Sequence, residues 1–187
     1  MSRSFKRTAA AGFTLIELLI VVIILAIISA IAIPQFSAAT ADAQLAALDT
    51  SLANVRNSIE QYRVQHAGNL YPGATASTGG TACTGTQGTG AAGTVAAMTD
   101  QLRFASNAAG QTCSIAGGTF RFGPYLRQGI PAEPINNNDT VVVTQTGAAI
   151  AAATGAAAVG WAYDTRSGQF IMNSSVADPN GRIYAAH

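Results

Sequence analysis

The sequence predicts an α+β fold: one long N-terminal helix, membrane-spanning in its first half, packed on a small C-terminal antiparallel sheet. Three observations predict it. The apolar run Phe13–Ile33, about 21 residues, would span about 31 Å as a helix, matching a hydrocarbon core of ~30 Å. Behind it, Leu45, Leu48, Leu52, Val55, Ile59 and Tyr62 recur at steps of three and four, the period of one helix face. Further on, short runs rich in β-branched and aromatic residues alternate with turn residues.

Length and charge bound the rest. A chain of 187 residues is sized for one modest domain. Only 10% of its residues are charged, against roughly 25% in an average soluble protein. Three of the ten basic side chains, Arg3, Lys6 and Arg7, precede the apolar run, so the remainder sets seven basic groups against nine acidic ones, a net −2. The first charges after the run are Asp42 and Asp49. By the positive-inside rule the N-terminus is cytoplasmic, the run is a single span, and the chain beyond it is exported. The later basic residues are scattered singly, which gives nucleic acid no electrostatic footprint.

Two simpler readings of the run compete. It could be a secretory signal peptide cut near Ala30-Ile31-Ala32 or Ala39-Thr40-Ala41, although its apolar core exceeds the usual ~7–15 residues. It could also be a plain signal anchor. Neither explains Glu17, a carboxylate inside hydrocarbon, where a charge costs at least ~2.5–3.5 kcal/mol at the bilayer centre. Neither explains the small, uncharged Ala9-Ala10-Ala11-Gly12 step before Phe13.

Gly12-Phe13-Thr14-Leu15-Ile16-Glu17-Leu18, with the basic leader before it and Pro34 after it, resembles the processing site of class III (type IV pilin-like) prepilins. That family holds type IV pilins and the pseudopilins of type II secretion. The resemblance implies cleavage after Gly12 by a membrane prepilin peptidase, which also N-methylates Phe13, while the apolar helix stays on the mature protein. It implies a homo-oligomeric filament grown from the inner membrane with a platform protein and a cytoplasmic assembly ATPase. It further implies an inner-membrane, single-pass precursor whose head is periplasmic or at the cell surface. Glu17, in that family, meets the N-terminal amine of a neighbouring subunit.

The residues suit these roles. Gly12 offers a protease no side chain, and cleavage would give Phe13 a new α-amine. Glu17 lies one turn further on, where the helix dipole favours an anion. A lone subunit would leave Glu17 poorly satisfied in lipid, and a packed filament could pair it, so Glu17 is expected to act in assembly.

These readings divide the chain into a cleaved leader at 1–12, the membrane and filament-core helix at 13–33, its amphipathic continuation at 34–66 and an exported head at 67–187. Read from Phe13 to His66, the helix would hold about 54 residues and run about 81 Å. Pro34 removes a backbone donor and is expected to kink it. The 45–62 stripe reads as packing on the protein's own sheet, with a partner surface as the alternative.

Gly68–Gly93 is rich in Gly, Thr, Ala and Ser and reads as a long loop, a length usually functional or mobile. Cys83 and Cys113 are the only cysteines, and export with an even count points to a disulfide worth about 3–4 kcal/mol in the chain-entropy model. Two free buried thiols are the alternative. No metal site is expected, since two Cys without nearby His lack a ligand set.

Strands are expected at Phe120–Phe122, Thr140–Thr144, Trp161–Tyr163 and Gln169–Met172, the last two joined by the Asp164–Gly168 turn as an antiparallel hairpin. Gly147–Gly160 reads as an irregular connection or a short helix. "GPYLRQGIPAEP" (123–134) followed by "GWAYDTRSGQFIMNSS" (160–175) resembles the sheet region of pseudopilin-type subunits, with ordinary turns and sheet residues as the alternative. Asp139, Asp164 and Asp178 are isolated singles, so calcium is not expected.

Nothing in the sequence supplies an enzyme's parts. His66 and His187 are far apart in the chain, and no G-x-S-x-G, H-E-x-x-H or phosphate-cradling loop occurs. The expectation is a structural subunit without a cofactor. Its rival is an exported ligand-binding domain on a plain anchor.

Overall fold

The structure is a computed structural model and describes residues 12–80, 82–158 and 160–187. The basic leader residues Arg3, Lys6 and Arg7 lie outside the described residues. Helix α1 is Leu15–Gln65 and helix α2 is Val95–Arg103. Strands β1 (Ala105–Ser106) and β2 (Thr112–Cys113) form one small sheet; β3 (Val141–Thr144), β4 (Trp161–Asp164) and β5 (Phe170–Met172) form another. The chain divides into two compact units, one ending at Asp42 and the other Ala43–His187.

In the first unit the helix is long and apolar enough to cross a membrane, and none of its most apolar stretch is buried. Ile20, Ile24 and Ile28 are each about half exposed, and so are the residues on every other side of the helix. A helix apolar all round needs a core or a bilayer to cover it. Pro34 sits inside α1, which continues helically past it.

In the second unit α1 turns amphipathic. Leu45, Leu48, Leu52, Val55, Ile59 and Tyr62, the residues picked out by their spacing, are all buried. From Leu48 onward they share one core with Met98 and Leu102 of α2, Val141 of β3, Trp161 and Tyr163 of β4, and Phe170 and Met172 of β5. The largest side chains place their polar ends as well. The Trp161 indole donates to the Pro131 carbonyl at 2.7 Å, and the Tyr163 hydroxyl donates to the Pro72 carbonyl at 2.8 Å.

The α+β architecture is as the sequence predicts. β4 and β5 pair antiparallel, with Trp161 opposite Met172 and Tyr163 opposite Phe170. Gly168 closes the turn at φ +71°, and a Cβ there would fall 2.2 Å from the Tyr71 ring, so only glycine fits. β3 joins the other edge of β4 in parallel, Val141 beside Trp161, which makes the sheet mixed. The reason is the connection: parallel neighbours need a crossover of about a dozen residues or more, which residues 145–160 supply. A short 3-10 turn, Gly155–Ala157, lies within that crossover. The expected strand at Phe120–Phe122 is reduced to isolated bridges, Phe120 with Gly117 and Phe122 with Ser106. Its partner β1 is two residues long, so no ladder extends.

Helix α2 is absent from the sequence-based expectation, and it organises the glycine-rich segment. Thr94 caps it by accepting the Ala97 N–H at 3.2 Å. Gln101, fully buried, accepts the Gly73 N–H at 2.6 Å and donates to the carbonyls of Thr75 and Gly110. Asp100 accepts from the Ser77 hydroxyl at 2.7 Å and the Thr89 N–H at 2.9 Å. The segment expected as a long loop is therefore a set of turns fastened to one helix.

Candidate functional site

The candidate site is the start of α1. Gly12 is exposed, and a Cβ built on it would meet nothing within 4 Å. Phe13 is 87% exposed. Among the described residues, nothing stands over this junction.

Thr14 and Glu17 then cap the helix reciprocally. The Glu17 carboxylate accepts from the Thr14 N–H and from its hydroxyl, both at 2.8 Å, and the Glu17 N–H donates to Thr14 Oγ1 at 3.3 Å. This is a capping box, in which Thr and Glu three residues apart satisfy each other's orphan donors. Within a single chain, Glu17 therefore has a partner for one of its two carboxylate oxygens. The signal is visible as Thr-x-x-Glu ahead of an apolar run, but reading Glu17 for its charge alone passes over it. Both Thr14 donors converge on Oε2, so Oε1 keeps its acceptor capacity.

The remaining residues singled out in the sequence lie in the second unit. Cys83 and Cys113 are joined by a disulfide with Cα atoms 5.6 Å apart, which ties the glycine-rich segment to β2. His66 is buried. It stacks on Tyr62 at 3.7 Å, and its ring nitrogens meet the Tyr62 carbonyl at 2.7 Å and Ser106 Oγ at 2.9 Å. Burial holds its pKa below the ordinary imidazole value. Both features make it a structural residue at the end of α1.

Asp164 and Asp178 turn out to be internal caps; the Asp164–Gly168 turn gives a local hint of the first, and its donors at Thr146 and Gly147 do not show in the sequence. Asp164 is buried and accepts from the N–H groups of Thr146, Gly147, Arg166 and Ser167 and from the Thr144 and Thr146 hydroxyls. Burial opposes its ionisation, but the backbone donors of Ser167, Arg166, Gly147 and Thr146 prevail and hold its carboxyl well below the usual range. Asp178 closes a turn by accepting the Asn180 and Arg182 N–H groups, each at 2.8 Å. Among the described residues, no three His, Cys, Asp or Glu side chains are grouped to hold a metal.

Comparison with known proteins assigns the N-terminal region. No solved structure matches the chain. Residues 7–33 match the prokaryotic N-terminal methylation motif, a stretch that includes Gly12, Phe13, Glu17 and the apolar helix to Ile33. A class III prepilin signal leading into a long, uncovered apolar helix fits a type IV pilin-like protein, anchored in a membrane and processed by a prepilin peptidase.

Proposed function

We propose that this chain is the structural subunit of a type IV pilus-like filament, a pilin or a type II secretion pseudopilin. The observation that carries the reading is the first turn of α1: an open Gly12–Phe13 junction, then a single carboxylate on a stretch of helix otherwise apolar on all sides.

On this reading the steps follow in order. A prepilin peptidase cuts after Gly12 on the cytoplasmic face, and the new amine of Phe13 is methylated while remaining a cation. Glu17 keeps its Thr14 cap through Oε2 and offers Oε1 to the amine of a neighbouring subunit. The pair neutralises two charges that lipid tolerates badly, so subunits add in one axial register. The apolar helices then cover one another. An inner-membrane platform protein and an assembly ATPase drive the addition, and the head ends in the periplasm or at the cell surface.

Intact mass of membrane-extracted protein tests this. The expected product lacks residues 1–12, carries one methyl on Phe13 and retains the apolar helix. A mature N-terminus at Ile33 or beyond overturns the reading. Replacing Gly12 by a bulky residue should leave full-length precursor in the membrane.

A further inference from the structure

Residues 174–187 form a strap at the edge of the second unit. Its hairpin is closed by the Tyr184 N–H on the Val176 carbonyl at 3.0 Å and the Ala185 N–H on the Ser174 carbonyl at 3.1 Å. The strap then reaches α1 through His187, whose side chain is only 6% exposed. One ring nitrogen, Nδ1, lies 2.9 Å from Asp49 Oδ1 of α1, and the other, Nε2, lies 3.2 Å from Asp178 Oδ2 of the strap.

That arrangement constrains the proton count. A neutral imidazole has one N–H donor and one lone pair. A carboxylate stands at each nitrogen, so the neutral ring satisfies one contact and sets a lone pair against oxygen at the other. Only the imidazolium donates to both. The alternative, a protonated Asp178, is disfavoured by its surroundings. Burial opposes ionisation there, yet the Arg182 N–H, the His187 ring and the Asn180 N–H together hold its carboxyl below the usual range.

We propose that His187 is a proton-dependent clamp: as an imidazolium it bridges Asp49 and Asp178 and holds the 174–187 strap on α1, and loss of one ring proton releases it. The charged and titratable groups around it fit this role. On α1 these are Asp49, Arg56 and Glu60, the last lining the same cavity as His187. On the strap they are Asp178, Arg182 and Tyr184, whose ring centroid is 6.3 Å from that of His187. The adjoining residues Ser167–Ile171 bring no ionisable side chain. Arg56 also feels the charge of Asp49, but its guanidinium is hydrogen-bonded elsewhere. It donates to the Phe170 carbonyl of β5 at 2.9 Å and to the His187 carbonyl at 3.1 Å, so the strap, α1 and the edge strand β5 meet at one point. Arg182 likewise donates to the Ala186 carbonyl.

Hydrogen exchange of the full chain in detergent micelles tests the clamp, compared at about pH 5.5 and about pH 8. After correction for intrinsic exchange rates, the Tyr184 and Ala185 amides should lose about tenfold protection at the higher pH, the scale of one charge-assisted hydrogen bond. The α1 amides at Leu48–Tyr62 should not change. His187→Gln should show the low protection at both pH values, and Asp49→Asn should lower it at about pH 5.5. Equal protection of the native strap at both pH values overturns the proposal. So does a pH dependence that survives in His187→Gln, an Asp49→Asn variant with native protection, or a parallel loss along α1.

Discussion

Gln101 accepts the N–H of Gly73 across 2.6 Å, 28 residues apart in sequence, and this bond begins the fastening of the glycine-rich segment to α2. The same side chain donates to the Thr75 and Gly110 carbonyls, and it is fully buried. Removing it leaves three backbone groups without partners inside the protein, each costing about 1–3 kcal/mol. Gln101→Leu should destabilise the head by roughly 3–5 kcal/mol and lower Tm by roughly 6–15 °C, as followed by circular dichroism. Gln101→Glu should be nearly as harmful, since a carboxylate accepts from Gly73 but cannot donate to the two carbonyls.

The buried carboxylate of Asp164 sets the acid limb of stability. Its pKa is lowered in the folded state, so its contribution is complete above the unfolded value of ~3.9 and is lost as pH falls through the folded value. Asp164→Asn presents an amide NH₂ to backbone N–H groups that need an acceptor. It should cost about 2–4 kcal/mol at neutral pH. Chemical denaturation repeated from about pH 6 to about pH 2 should also show a shallower decline for the variant than for the native protein.

The Cys83–Cys113 bond should be visible as a mass two hydrogens short, with no alkylation before reduction. Its closure of a loop of about 30 residues contributes about 3–4 kcal/mol in the chain-entropy model. Reduction should therefore raise hydrogen exchange in residues 73–93 before it affects α1, whose Leu45–Tyr62 stripe is held by apolar packing. Exchange rising first in α1 would contradict this order.

The elements legible in the sequence are those that repetition writes there. The apolar run and the six-residue stripe of α1 obey one period over many turns, and the β4–β5 hairpin carries its turn residues between two aromatic runs. Helix α2 has nine residues, too few for a period to stand out, and it comes after a glycine-rich stretch that reads as loop. β3 is recognisable as a strand, but its direction depends on which edge of β4 it joins, a choice made by the tertiary structure. Asp164 and Asp178 each begin a turn whose local backbone donors the sequence hints at, but Asp164's bonds to Thr144–Gly147 and the His187 contacts join residues distant in sequence, with no spacing to read.

Glu17 separates two accounts of the first turn. If it only caps α1, Thr14 is its whole purpose, and Glu17→Ala loses the capping box at a cost of about 0.5–2 kcal/mol of helix stability. A membrane-spanning helix survives that loss, and so would a filament. If Oε1 also receives a neighbour's Phe13 amine, Glu17→Ala removes the only acidic partner in an apolar core. Breaking such a buried pair costs about 3–5 kcal/mol at every subunit, because one charge is left uncompensated. Glu17→Ala should then give protein cut after Gly12 and resident in the membrane, with few or no filaments and with methylation of Phe13 reduced. Glu17→Gln retains acceptor oxygens without charge and should fail less completely. Thr14→Ala supplies the control: it removes the capping hydroxyl but leaves the carboxylate, so filaments should persist. Electron microscopy at matched expression decides between them, and filaments of normal number and length in Glu17→Ala would leave Glu17 as a helix cap alone.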